Sequence, residues 1–185
     1  MRSTLRILKG EHLALRGIAR VLKMEALVLE RGGRVDLDVL KDIVAYVREF
    51  PMRFHHPKEE RTLFAALSGR SPEADALIVR LTSEHADEGR LVQCLADAVA
   101  AYARDGGGNL AGVAKDYARY LEEHIHLEDH QLFAQAEHLL SPAAWDALDA
   151  TLEQAQQPGQ DKAELDRFTR LHLRIMDAAL PPFGG

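Results

Sequence analysis

The chain has 185 residues, of which 46% are hydrophobic, so it is long enough for one well-packed domain and short for two. Its net charge of −6 and its scattered Lys and Arg residues offer no basic field to a phosphate backbone, which excludes nucleic acid as an expected partner. No apolar run approaches the ~20 residues of a membrane span, and no signal peptide is evident, so the sequence predicts a cytoplasmic protein that binds no membrane.

The first segment carries one histidine within an apolar stripe. Its residues recur at steps of three and four, which mark one face of an amphipathic helix. Because His12 lies within that face, directly after Glu11, the pattern places its imidazole in the core. The stripe consists of Leu5, Leu8, His12, Leu15, Ala19, Leu22, Ala26 and Leu29.

The second segment is less regular because it contains Pro51 and Pro57. Each proline removes a backbone donor and crowds the carbonyl four residues earlier, so we expect a kinked helix. A kink just before the polar residues would help to aim them inward. The stripe still runs through Leu40, Val44, Val47, Pro51, His55, Glu59 and Leu63.

The third and fourth segments place further polar residues on their inner faces. The third carries His85 and Glu88 in its stripe, beside which Cys94 is predicted to be a small core residue. The fourth face becomes increasingly polar towards its end. The two stripes are Ile78, Leu81, His85, Glu88, Val92, Leu95, Val99 and Tyr102, and Val113, Tyr117, Leu121, His124, Glu128, Gln131 and Gln135.

The breaks between segments predict an all-α fold. They fall at residues 31–34, 68–72 and 105–109, and short loops make consecutive helices antiparallel neighbours. Ser71 and Ser141, each followed by proline, are typical helix N-caps. We therefore predict an up-down-up-down four-helix bundle over residues 1–140. A C-terminal helical extension, residues 141–185, is expected to pack on it, with a short helix, a polar loop near residues 156–159 and a last amphipathic helix.

The polar core residues follow a motif written twice, His-x-x-x-Glu, at His55 to Glu59 and at His124 to Glu128. Residues four apart lie one above the other on a helix, so both can reach one metal site. Without a partner, each buried carboxylate would cost several kcal/mol. A pair of divalent cations would provide that partner. The candidate metal ligands are His12, His55, Glu59, His85, Glu88, His124 and Glu128.

The spacing leaves neighbouring residues open as alternatives. His56 could replace His55 as a ligand in register with Glu60, and Asp129 poses the same question against Glu128. The other histidines have simpler interpretations. His126 and His130 lie on the far side of their helix and are predicted to be solvated, whereas His172 is predicted to pack on the last helix.

In this motif His precedes Glu, and nitrogen dominates the set of candidate donors. This order and balance resemble those of the hemerythrin-like or HHE cation-binding domain family, over residues 2–140. Glu11-His12, residues 54–60, Glu84-His85 and residues 124–128 carry the resemblance. It implies a non-haem di-iron centre, oxo- or hydroxo-bridged, that binds oxygen, nitric oxide or peroxide. By motif position, one iron would take His12 and His55, the other would take His85 and His124, and two carboxylates would bridge them. These bridges are Glu59 and Glu128.

The chain departs from the oxygen-carrying members of that family at Gly89. Those proteins have a histidine there, and Glu88 is the nearest substitute in this sequence. A harder ligand shell favours ferric iron, so we predict rapid oxidation in air. Sensing, redox response or iron handling, through an unknown redox or signalling partner, then ranks above oxygen transport. The alternatives are a di-iron redox enzyme that reduces peroxide or oxygen or repairs iron centres, and a metal-free helical interaction module.

Overall fold

The computed structural model describes residues 2–155 and 162–179, and these ranges form six helices and no strand. The all-α prediction is confirmed. Helix α1 spans Ser3–Glu30, α3 spans Pro72–Asp105, α5 spans Pro142–Ala155 and α6 spans Lys162–Ala178. Helix α2 runs through the consecutive segments Leu37–Phe50, Pro51–His55, His56–Glu59, Glu60–Phe64 and Ala65–Leu67. Helix α4 runs through Leu110–Leu127, Glu128–Leu132 and Phe133–Leu139.

Two hydrophobic clusters fill the two ends of the bundle. One joins the start of α1, residues 5–8, to the end of α2, the start of α3 and the end of α4. The other joins residues 15–26 of α1 to the opposite ends of the same helices. Neighbouring helices therefore run antiparallel, as the up-down-up-down prediction requires. The polar residues near positions 12, 55–59, 85–88 and 124–128 fall between the two clusters.

Local signals in the sequence set the ends of the helices. The Ser71 hydroxyl accepts a hydrogen bond from the amide of Ala74 at 3.0 Å, with Pro72 in the first turn. The Ser141 hydroxyl accepts one from Ala144 at 3.2 Å, so both predicted caps are confirmed. Helix α3 ends at Gly106, whose φ of 71° is the left-handed conformation that glycine adopts without strain.

Helix α2 stays helical through both prolines. Pro51 itself has φ −59° and ψ −52°, within the α region. The segments Pro51–His55 and Glu60–Phe64 are widened π turns, and α4 has a third at Glu128–Leu132. A π turn holds more residues than an α turn, so adjacent side chains diverge less around the axis. All three widened turns lie at the height of the polar residues.

The two C-terminal helices pack on the bundle. Trp145 of α5 joins the cluster at the start of α1, and Phe168 and Ile175 of α6 join the other cluster. Helix α6 passes close to α1, where a Cβ added at Gly17 would lie 3.0 Å from the sulfur of Met176. The division at residue 140 stays a prediction, and the predicted polar loop near residues 156–159 lies outside the described residues. No helix in the described ranges is long and apolar enough to cross a membrane.

Cys94 is exposed, so its predicted place in the core is wrong. It lies between Val92 and Leu95, which are both buried. At about 100° per residue, its side chain is turned some 200° from Val92 and 100° from Leu95. The residue therefore faces solvent beside the apolar stripe.

Glu25 is a buried carboxylate whose Oε2 has no hydrogen-bond partner within residues 2–155 and 162–179. Burial, with repulsion from Asp36, raises its pKa. A raised folded-state pKa gives stability that is present at low pH and is lost as the pH rises through that pKa. We expect Glu25→Gln to raise the unfolding midpoint by roughly 2–8 °C at pH 8, because the amide removes a buried charge worth about 1–3 kcal/mol.

Thermal unfolding followed by circular dichroism at pH 8 and pH 4 tests this expectation. The gain should shrink at pH 4, where the wild-type carboxyl is protonated. Glu30→Gln, on the same helix but with an exposed carboxylate paired to Lys115, is the control and should shift the midpoint little. An equal gain at both pH values would rule out the buried charge as its cause.

Candidate metal centre

A layer of buried polar side chains crosses the bundle between its two apolar clusters. Every side chain in the layer comes from one of the first four helices, and each is at most 7% exposed. Such burial of histidines and carboxylates is costly unless each finds a partner. The layer consists of His12, His55, His56, Glu59, His85, Glu88, His124 and Glu128.

Seven of these side chains form two groups that could each hold a metal ion. Within each group, one donor atom from every residue lies within 4.8 Å of the others. The structure thus brings together six of the seven ligands predicted from the sequence and adds His56, while Glu88 belongs to neither group. The first group is His12, His55, Glu59 and Glu128, and the second is His56, His85 and His124.

Glu128 connects the two groups. Its Oε2 lies 3.2 Å from Nε2 of His12, in the first group. Its Oε1 lies 3.2 Å from Nε2 of His124 and 3.5 Å from Nε2 of His85, in the second. Donor atoms that each lie about 2.1 Å from one ion are separated by roughly 3 to 4 Å. The carboxylate therefore has the position of a bridge between two ions.

Glu59 also has carboxylate oxygens close to histidines of both groups. Its Oε1 is 3.4 Å from Nε2 of His12. Its Oε2 is 3.6 Å from Nε2 of His55, four residues earlier on the same helix, and 3.7 Å from Nε2 of His85. Two carboxylates thus span both groups.

Four outer carboxylates hold four of the imidazoles through Nδ1. Each carboxylate comes from the helix adjacent to that of its histidine, and the four contacts close a circle from α1 through α2, α3 and α4 back to α1. A carboxylate can only accept, so each Nδ1 donates and each Nε2 is left to face the interior. The pairs are His55 with Glu11 at 2.9 Å, His85 with Glu60 at 3.0 Å, His124 with Glu84 at 2.7 Å and His12 with Asp129 at 2.8 Å.

These contacts show where the residues that spacing left open lie. Glu60 and Asp129 hold histidine rings and belong to neither of the two groups. His55 and His56 both face the interior. The widened turn that ends at His55 explains why two adjacent residues can do so. His56 stacks on His85, with ring centroids 3.7 Å apart and planes 7° from parallel.

Glu88 lies beside the second group. Its Oε1 accepts a hydrogen bond of 2.7 Å from the hydroxyl of Tyr117. Its Oε2 has no hydrogen-bond partner in the described part of the chain and lies 3.3 Å from Nε2 of His56. Burial raises the pKa of Glu88, although the Tyr117 hydroxyl and the nearby imidazoles oppose that effect.

Charges in the layer are strongly coupled. Burial lowers the pKa of His124, but Glu128 and Glu84 more than offset this effect and raise it to about 10. Burial raises the pKa of Glu128, yet His124 and His12 hold it well below its usual range. His56 differs, because burial and the surrounding imidazoles lower its pKa. The carboxylates favour the protonated, charged form of these imidazoles. A cation that binds here must therefore displace their protons.

The donor set fits metal ions. Most inner atoms of the layer have no hydrogen-bond partner among the residues that the structure describes, a costly arrangement that coordination would relieve. Imidazole nitrogen with carboxylate oxygen suits first-row cations such as iron, manganese and zinc. These unpartnered atoms are Nε2 of His12, His55, His85 and His124, both carboxylate oxygens of Glu59 and Glu128, and Oε2 of Glu88.

Fold and site together define a class of protein: a four-helix bundle with a buried histidine and carboxylate centre fit for metal ions. The hemerythrin HHE cation-binding domain matches residues 3–136. The chain belongs to this family. No curated protein and no solved structure gives a significant match.

The remaining predicted histidines lie away from the layer. His126 and His130 are exposed on the outer face of α4, as expected. His172 lies between α6 and α1, near Gly17, with its ring centroid 6.0 Å from that of Tyr46. This position agrees with its predicted packing role.

Proposed function

We propose that the centre holds two iron ions and binds a small molecule such as oxygen, nitric oxide or peroxide. The observation that carries the proposal is that Glu59 and Glu128 each reach both groups of imidazoles. The first ion would take His12 and His55, and the two carboxylates would bridge it to the second. His56, His85 and His124 would hold the second ion. An iron pair supplies redox-active cations with positions open to a further ligand.

Burial supports a ligand of few atoms. The side chains of the layer are 0–7% exposed, so a larger substrate would have to part the helices. Counting both bridging carboxylates, the first ion has four protein donors and the second has five. An octahedral ion therefore retains open positions, more of them in the first group than in the second.

The outer carboxylates have a separate role in this proposal. By fixing Nδ1, they set the orientation of each ring and keep Nε2 directed at the ion. Because each comes from an adjacent helix, the ring geometry is tied to the packing of all four helices. A change of ligand at the centre that reorients a ring can thus alter the packing between helices. Such coupling suits sensing, redox response or iron handling through a partner protein.

A second candidate is an enzyme that reduces peroxide or oxygen. The observation that favours it is the buried hydrogen bond between Tyr117 and Glu88. Oε2 of Glu88, the oxygen that does not accept this bond, lies 3.3 Å from Nε2 of His56. Such a pair would place a proton beside the centre. Peroxide consumption that continues over many cycles with an electron donor would favour the enzyme over a binding protein.

The experiment that tests the proposal is an optical spectrum of protein loaded anaerobically with Fe(II), recorded before and after air is admitted. Iron is assayed after unbound metal has been removed. We expect close to two ions per chain and near-ultraviolet bands of bridged ferric iron on oxidation. No uptake and no optical change would contradict the proposal and leave zinc, manganese or a metal-free bundle.

Metal loading is also expected to stabilise the fold. An ion present at about 1,000 times its Kd adds roughly 4 kcal/mol per site, or about 8 kcal/mol for two sites, so we expect Fe(II) to raise the unfolding midpoint by roughly 15–30 °C at pH 7.5. The rise should be smaller at pH 5.5, because protons then compete for the imidazoles. Anaerobic thermal unfolding measures it, with Mg²⁺, which prefers oxygen ligands, as the control. An unchanged midpoint with Fe(II) would speak against the centre.

A further inference from the structure

His126 and His130 form a pair on the outer face of α4. They are four residues apart, both are exposed, and their ring centroids lie 4.3 Å apart. The same helix turns His124 and Glu128 inward, so α4 presents donors on two opposite sides. The outer pair contributes to neither of the buried groups.

Packing does not account for this pair. Within residues 2–155 and 162–179, neither ring takes part in a hydrogen bond or an ion pair, and the two rings contact each other. Exposed imidazoles contribute little to the core. Two histidines at i and i+4 of a helix are, however, a well-established arrangement for binding one cation, because both rings project from the same face.

A carboxylate lies one turn earlier. Glu122 precedes His126 by four residues, and both side chains line the same surface groove. The Glu122 carboxylate contacts Lys23, and its side chain is 38% exposed. Two imidazoles and two waters complete a tetrahedral shell of the kind that zinc adopts.

We propose that His126 and His130 bind one divalent cation of the zinc, copper or nickel type on the surface of α4. Imidazole donors favour these cations over Mg²⁺ and Ca²⁺. The site is separate from the buried centre and shares no ligand with it. Its existence does not depend on the proposed iron pair.

Calorimetric titration with Zn²⁺ tests the surface site. The titrated protein carries Glu59→Gln and Glu128→Gln, which weaken the buried centre, and its fold is checked by circular dichroism. The imidazoles of that centre remain, so the surface ion is counted as the Zn²⁺ that is lost when His126 or His130 is changed. We expect one Zn²⁺ per chain, and His130→Ala added to this background should weaken binding at least tenfold. His138→Ala changes another exposed histidine of α4 and is the matched control, which should bind like the parent.

Binding that His130→Ala and His126→Ala both weaken, and that His138→Ala leaves intact, supports the site. Zn²⁺ binding that is equal in all of these proteins, or no binding in the parent, overturns it. Half an ion per chain with formation of dimers also overturns it, because the cation would then bridge two copies. Repeating the titration on iron-loaded wild-type protein should give the same single surface ion.

Discussion

Glu128→Gln is expected to abolish binding of the proposed iron pair, not to remove one ion from it. Its two carboxylate oxygens face different groups, Oε2 towards His12 and Oε1 towards His124 and His85. An amide has nearly the same shape but carries no charge and offers only one good acceptor. Both ions would lose a donor, and the charge of the cations would be less well balanced. We expect iron to fall from about two per chain to about none, an affinity loss of at least 100-fold.

Iron assayed after gel filtration of anaerobically loaded protein measures this effect. Glu123→Gln is the control, since it makes the same chemical change on an exposed neighbouring position of α4 and should retain both ions. Circular dichroism of the ion-free proteins separates loss of iron from loss of fold. If Glu128→Gln kept one tightly bound iron, the carboxylate would serve a single ion and would not bridge.

The sequence predicted the inner layer well because its signals are local. A polar residue inside an apolar stripe must face the core, and His55 with Glu59, or His124 with Glu128, share a helix face by spacing alone. Such arguments need no knowledge of which helix lies next to which. They located six of the seven residues in the two groups, together with the four helices that carry them.

The outer carboxylates could not be assigned in the same way, because each acts on a different helix. Glu60 looked like an alternative to Glu59, yet it holds His85 of α3. A signal was nevertheless present. Each outer carboxylate adjoins an inner residue in sequence, as Glu11 precedes His12 and Asp129 follows Glu128. An acid next to a core ligand points about 100° away, towards the neighbouring helix, which is where the structure places it.

His56 was left open for another reason. On a regular α-helix, adjacent residues diverge by about 100°, so either His55 or His56 was expected to face the core. Widened turns on both sides of His56–Glu59 change that geometry, and sequence periodicity does not report them. This position of His56 affects the expected oxidation of the centre. Rapid oxidation in air stays a prediction, which was based on the missing imidazole at Gly89. If His56 supplies an imidazole instead, slower oxidation is expected.

His56→Ala is therefore expected to weaken the binding of one iron of the two. The second group would keep only His85 and His124, whereas the first group and both bridging carboxylates remain. The second ion would then have four donors instead of five, so we expect its affinity to fall at least tenfold and part of this iron to be lost on gel filtration. Glu88→Gln tests the competing assignment, in which the carboxylate takes the place of the imidazole, and we expect it to retain two ions. One iron in Glu88→Gln and two in His56→Ala would reverse the roles of these residues.

Gly89 offers a rescue that a merely structural role for His56 would not explain. A Cβ at Gly89 would lie 3.8 Å from the nearest side-chain atom, the methyl carbon of Met52, so a larger residue can enter without moving the backbone. In His56→Ala with Gly89→His, the second ion regains an imidazole from α3, one turn after His85. We expect the double variant to return to about two irons per chain. Gly89→Ala on the same background removes the helical glycine without adding a donor and should not regain the lost iron, which isolates the imidazole as the cause.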